Sequence, residues 1–173
     1  AARRRPLAGD ASTRRYERLT ERLRSLVVMD APAQPDPGIG QVPYSRLVHL
    51  AEDVRPFAAI AQALKDRGFS APEIVAADLD AGVLVVEDLG GGSVLDDSGK
   101  PIAERYELAA EVLAEMHGES WPRHLTGIAT HDLPDFDLDA MLAETALMPQ
   151  WYAPRALGTA LSDEALAAYD AAW

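Results

Sequence analysis

The sequence predicts an α+β chain, on three observations. Its first half reads as short apolar strand runs with one helix inserted. Its second half changes to a helical period and keeps it. The two halves meet at "EDLGGG", residues 87–92, where three glycines interrupt both patterns.

Tyr16, Leu19, Leu23, Leu26 and Val27 recur at helical spacing, so periodicity alone predicts a helix over residues 13–28. A competing reading makes residues 14–20 and 24–29 two strands of a hairpin, and the β-branched pair Val27–Val28 favours it. Residues 32–43, "PAQPDPGIGQVP", are rich in Pro and Gly and read as an exposed loop. Val54, Phe57, Ile60, Ala61 and Leu64 then mark a helix, which Gly68 and Pro72 stop. Two apolar runs around "DLDAG" predict a hairpin with Asp80, Ala81 and Gly82 at its turn.

Beyond the glycines, Pro101 suits a first helical position. Ile102, Tyr106, Ala109, Leu113 and Met116 form one apolar stripe, ended by Gly118. Asp137 is placed to cap a helix carrying Leu138, Met141, Leu142 and Thr145. Ser162 is placed to cap another, carrying Leu166, Tyr169 and Trp173, with no stop signal after it.

Composition narrows the functional classes. The chain has 173 residues and is 48% hydrophobic, enough for one sizeable domain or two small lobes. Its apolar runs are far shorter than the ~20 residues of a membrane span. The arginines near its start are not followed by an apolar stretch, so they do not read as a secretory signal. The absence of cysteine excludes disulfides and Cys-ligated zinc. The net charge is −12, but residues 1–24 hold eight arginines against three acids. An acidic chain lacks the broad basic face that nucleic acid demands, whereas its basic start suits a compact anion such as a phosphate group or, on charge alone, is a solvated arginine run.

Several motifs fail on inspection. "SGKP" has Gly99 and Lys100, but Val94 stands where a P-loop needs glycine and Pro101 where it needs a hydroxyl. Asp135, Asp137 and Asp139 begin like a calcium loop, yet Ala140 and Ala146 replace its glycine and closing glutamate, so helix capping and solvation explain these acids better. His49, His117, His124 and His131 show no metal-ligand spacing. "LAGDAST" remains. A small-residue turn can aim successive N–H groups at one anion. Ser12 and Thr13 add hydroxyls, Gly9 allows close approach, and Arg14 or Arg15 offers a fork of donors.

Taken in order, "PLAGDASTRRYERL", "LVVMDAP", "FAAIAQALKDRGFSAPEIV", "LVVEDLG", "YELAAEVLAEMHG" and "LMPQWYAPRALG" resemble the aminoglycoside phosphotransferase-like kinases. Within them the chain is most similar to the bacterial kinases that phosphorylate N-acetylmuramate and N-acetylglucosamine at the anomeric hydroxyl in cell-wall recycling. The resemblance implies a protein-kinase-like fold. Residues 1–89 would be a small antiparallel nucleotide-binding lobe with one packed helix. Residues 90–173 would be the hinge and the beginning of a helical substrate lobe.

It implies ATP and Mg²⁺ as cofactors and a small sugar as substrate, in a monomeric cytoplasmic protein that meets neither nucleic acid nor membrane. Gly9, Asp10, Ala11, Ser12 and Thr13 would form the phosphate loop. The Glu87 carbonyl and Leu89 N–H would meet the adenine edge. Met29 stands where kinases usually carry a phosphate-binding lysine, so Arg14 and Arg15 are the candidate replacements. Trp151 and Tyr152 are candidates to stack on the sugar, with Arg155 beside them for a carboxylate; helix packing is the competing role for the aromatics. The His-Gly-Asp loop and the asparagine of such kinases have no counterpart here, for the chain contains no His-x-Asp and no asparagine. The expectation is a chain that stops before the catalytic loop and is inactive alone. The alternatives are an aminoglycoside or other small-molecule kinase, a non-catalytic nucleotide-binding module, and, if residues 13–28 were one helix, a helical interaction domain.

Overall fold

The computed structural model describes residues 2–8, 14–33 and 42–173. Residues 9–13, the expected phosphate loop, lie outside that set, as do residues 34–41 of the expected exposed loop. The first half forms a five-stranded antiparallel sheet of order β1-β2-β3-β5-β4. Its strands are β1 (Arg3–Pro6), β2 (Arg15–Glu21), β3 (Arg24–Asp30), β4 (Ile74–Asp78) and β5 (Val83–Glu87). Between β3 and β4 the chain makes a one-turn helix, α1 (Tyr44–Leu47), and a longer one, α2 (Arg55–Asp66).

The helix that periodicity alone predicts over residues 13–28 is therefore a hairpin, as the competing reading has it. Tyr16 pairs with Met29 and Leu19 with Leu26 across it. The turn is Arg22–Leu23, with Arg22 at φ 55°, a left-handed conformation rarely taken by a residue with a side chain. Cross-strand pairing outweighs the helical spacing because Tyr16, Val27, Met29, Leu84 and Val86 then gather on one sheet face.

That face is covered by α2. Val54 and Phe57 enter the cluster of Met29, Leu84 and Val86, while Ala58, Ala59 and Ala63 turn the other way. Gly68, at φ 86°, ends the helix as expected: its N–H donates to the Lys65 carbonyl and the Phe69 N–H to the Leu64 carbonyl. The hairpin turn over Asp80–Gly82 also forms as expected, between β4 and β5.

The second half is helical with one exception. It contains α3 (Ala103–Gly118), α4 (Leu138–Leu147), a π-helical turn (Met148–Tyr152), α5 (Ala153–Leu157) and α6 (Asp163–Asp170). The exception is a two-residue ladder, β6 (His124–Leu125) with β7 (His131–Asp132), which packs Leu125 and Ala129 on the alanine face of α2. Asp137 and Ser162 cap α4 and α6, accepting from the Ala140 and Ala165 N–H groups. Pro101 is not the first helical residue; it bridges to Leu95, and α3 starts at Ala103. Its apolar stripe stays exposed at Tyr106 and Leu113. α6 ends at Asp170 rather than running to Trp173.

Candidate functional site

Strand alternation sorts the basic residues of the first hairpin. Partners directly opposite in an antiparallel pair share a face, and neighbours along a strand do not. Tyr16 faces Met29 and the core, so Arg14 and Arg18 share that face while Arg15 and Glu17 point the other way. Arg15 accordingly pairs with Asp30 on the outer face, 2.6 Å away. Of the two arginines considered as replacements for a lysine at Met29, Arg14 alone shares the face of Met29. It lines an apolar cavity of about 260 Å³ with Pro56, Phe57, Ile60 and Leu64 of α2. The Leu7 N–H donates to the Tyr16 carbonyl at 2.9 Å, so β1 and β2 are paired up to the start of the connection that carries Gly9–Thr13.

At the far end of the sheet, β5 runs out into residues 88–90. The Glu87 N–H donates to the Glu73 carbonyl at 2.8 Å. The Glu73 N–H does not return the bond to the Glu87 carbonyl. It donates to the Glu87 carboxylate, Oε2, at 3.1 Å. Leu89 is exposed, and its N–H has no partner among the described residues.

Asp88 is held between these two. Its side chain is only 7% exposed. Oδ1 accepts from Arg18 Nη2 and from the Gly90 N–H, both at 3.0 Å, and Oδ2 accepts from the Ser25 hydroxyl. Arg18 Nε lies 2.6 Å from Oδ2. The Ser25 hydroxyl, with the Arg18 guanidinium next, holds the Asp88 carboxyl below the usual carboxylate range despite its burial. Sequence reading missed Arg18 and Ser25, which stand 70 and 63 residues from Asp88 and carry no local signal.

The remaining candidates lie elsewhere. Trp151 and Tyr152 are 72% and 69% exposed on the π-helical turn, so helix packing does not account for them among the described residues. The turn is anchored by Pro149 and Ala153, which are buried. Arg155 follows on α5, with no ion pair among the described residues. Across the molecule, Tyr44 donates to Glu144 at 2.7 Å and His49 lies 3.7 Å from Asp137, joining α1 to α4. Asp135 is engaged by Arg123 through two hydrogen bonds, of 3.0 and 2.7 Å. Of the acids that begin like a calcium loop, Asp135 thus serves an ion pair and Asp137 a helix cap. Among the described residues no three His, Asp or Glu side chains are arranged to hold a metal ion, and no helix is long and apolar enough to cross a membrane.

The chain is 35% identical to the N-acetylmuramate/N-acetylglucosamine kinase of Caulobacter vibrioides, over 99% of this chain and 51% of that protein. It is 36% identical to the protein of the same name from Pseudomonas aeruginosa, over 94% of this chain and 41% of that one. The protein of that name from Neisseria meningitidis is 30% identical, over 90% and 40%. The chain therefore spans about half, or less, of the length of these relatives. No solved structure matches it significantly. The phosphotransferase enzyme family (APH) matches over residues 3–173, nearly the whole chain, and its helix-bearing antiparallel sheet followed by helices is the kinase-like order expected above. The chain belongs to the phosphotransferase enzyme family.

Proposed function

We propose that the full-length protein transfers the γ-phosphate of ATP to the anomeric hydroxyl of N-acetylmuramate or N-acetylglucosamine, in cell-wall recycling in the cytoplasm. Residues 1–89 are its nucleotide lobe. Residues 90–173 are the hinge and the first helices of its substrate lobe. One observation carries the nucleotide reading: at residues 87–89 a carbonyl relieved of its Glu73 ladder bond is followed, two residues on, by an N–H without a partner among the described residues. That is the acceptor and donor an adenine edge requires. The names of the relatives support the acceptor sugar.

In this reading the base lies along Glu87 and Leu89, and the phosphates run toward the β1–β2 connection. There the N–H groups of Gly9, Asp10, Ala11, Ser12 and Thr13 would meet them, with Arg14 supplying positive charge. Arg15 faces the other way, where it pairs with Asp30, so Arg14 is the nearer of the two candidates. Trp151 and Tyr152 offer flat apolar faces for a sugar ring, and Arg155 a fork for the carboxylate of N-acetylmuramate. No described residue is assigned to Mg²⁺ or to accepting the hydroxyl proton. The metal would enter on the nucleotide, and the base is assigned to the part of the protein that this chain does not span.

The test is ADP release by the full-length protein with ATP, Mg²⁺ and each sugar in turn, with phosphorus NMR of the product. An anomeric sugar phosphate is expected. Phosphorylation of an aminoglycoside alone would reassign the acceptor, and no transfer to any of these would refute the reading.

A further inference from the structure

The segment that would read the base is held by side chains whose role the proposed function does not specify. The ladder between β3 and β5 alternates in a known phase. The Ala31 N–H donates to the Gly82 carbonyl, which makes Met29–Leu84 and Val27–Val86 the bonded pairs and Leu26–Glu87 a non-bonded one. The backbone groups of Glu87 therefore face β4, not β3. There the partner should be Glu73. One bond of that pair forms, from the Glu87 N–H. The other is diverted, because the Glu87 carboxylate takes the Glu73 N–H that would otherwise bond to the Glu87 carbonyl. This occurs where β4 shifts register, between Ile74 and Ala76.

Ser25 and Asp88, the next pair in the register, meet through side chains. The Asp88 carboxylate gathers the Ser25 hydroxyl, the Arg18 guanidinium and the Gly90 N–H. A buried carboxylate with this many donors fixes its own backbone to β2 and β3, because breaking any of them leaves charge unpaired in a poorly solvated place.

We propose that Glu87 and Asp88 are positioning residues for purine recognition: the Glu87 carboxylate frees its own carbonyl from β4, and Asp88, through Ser25, Arg18 and the Gly90 N–H, fixes the strand exit so that this carbonyl and the Leu89 N–H stand as an ordered acceptor–donor pair. This rests on the nucleotide reading above and goes beyond it by assigning the side chains that hold the acceptor–donor pair in place. Adenine presents an amino donor beside a ring-nitrogen acceptor, which complements an acceptor followed by a donor. Guanine presents a carbonyl acceptor beside a ring N–H, the reverse order. A held acceptor–donor pair therefore selects adenine. A carbonyl recaptured by the Glu73 N–H loses the acceptor half of that selection.

The experiment is calorimetric titration of the full-length protein with ADP and with GDP, for wild type, Glu87→Ala, Glu87→Gln and Asp88→Asn. Wild type is expected to bind ADP at least tenfold tighter than GDP. Glu87→Ala should weaken ADP about tenfold while changing GDP less than threefold. Glu87→Gln, whose amide oxygen can still accept from Glu73, should stay within threefold of wild type. Asp88→Asn should lower the ADP-to-GDP preference in the same direction. Equal weakening of both nucleotides, or no change in Glu87→Ala, would overturn the positioning role while leaving the nucleotide reading intact. A wild type that binds neither nucleotide would overturn both.

Discussion

Replacing Gly82 by alanine tests how tightly the β4–β5 turn is fitted against the end of β3. Gly82 sits at φ 71°, in the left-handed region. A side chain there costs about 1–2 kcal/mol on backbone grounds alone. The added methyl would also lie 2.6 Å from the Ala31 carbonyl oxygen and 2.6 Å from the Pro32 Cα. Both are backbone atoms, so no rotamer change relieves the overlap. The strand end has to move, and overpacking of this kind costs about 1–3 kcal/mol. The shift also strains the 2.9 Å bond from the Ala31 N–H to the Gly82 carbonyl.

The total for Gly82→Ala is expected near 3 kcal/mol. Gly99 supplies the control, since it has a similar φ of 79° with nothing within 4 Å of an added methyl. Gly99→Ala should cost only the backbone share, about 1 kcal/mol. The assay is urea unfolding, read from the midpoints with the slope unchanged. Equal losses in the two variants would refute the close approach of turn to strand.

Three further perturbations probe separate links. Arg22→Gly removes a side chain from a left-handed turn position, so a gain of about 0.5–1 kcal/mol is expected in the same urea assay, and a loss would contradict the turn geometry. Asp137→Ala removes the N-cap of α4 and should cost about 1 kcal/mol, with no loss expected from Asp137→Asn or Asp137→Ser. Asp88 gives a pH signature. Its folded-state pKa is depressed, so its stabilising contribution is present above the unfolded value of about 3.9 and is lost as pH falls through the folded value. The stability gap between wild type and Asp88→Asn should thus stay constant from about pH 7 to pH 5 and narrow below about pH 4. A gap that changes near neutrality would point to another titrating group.

What could be read from the sequence was whatever had a local cause. Gly68 ends α2 because a left-handed residue is needed there, and Asp137 and Ser162 cap because their oxygens reach N–H groups three residues on. Periodicity alone did not single out the β2–β3 hairpin, because its turn, Arg22–Leu23, carries no glycine or asparagine, while Tyr16, Leu19, Leu23 and Leu26 happen to fit a helical stripe; the β-branched run was the one local signal for it. β6 and β7, two residues each, are too short for any alternation to register.

The candidate site divides the same way. "EDLG" stood out as a segment, but the work of its acids depends on Glu73, Ser25 and Arg18, which only the sheet register brings near. Arg14 and Arg15 were equivalent as sequence neighbours. Strand alternation separates them, and that could be applied only once β2 was known to be a strand.

The central claim, that the strand exit at Glu87–Gly90 holds a nucleotide base through its backbone, is tested most directly by amide chemical shifts. The full-length protein, labelled with ¹⁵N, would be titrated with ADP. The Leu89 N–H, without a partner among the described residues, is expected to show one of the largest shifts, downfield as it gains an acceptor, with Gly90 moving alongside it. Saturation by ADP with the Leu89 and Gly90 amides unmoved would contradict the account.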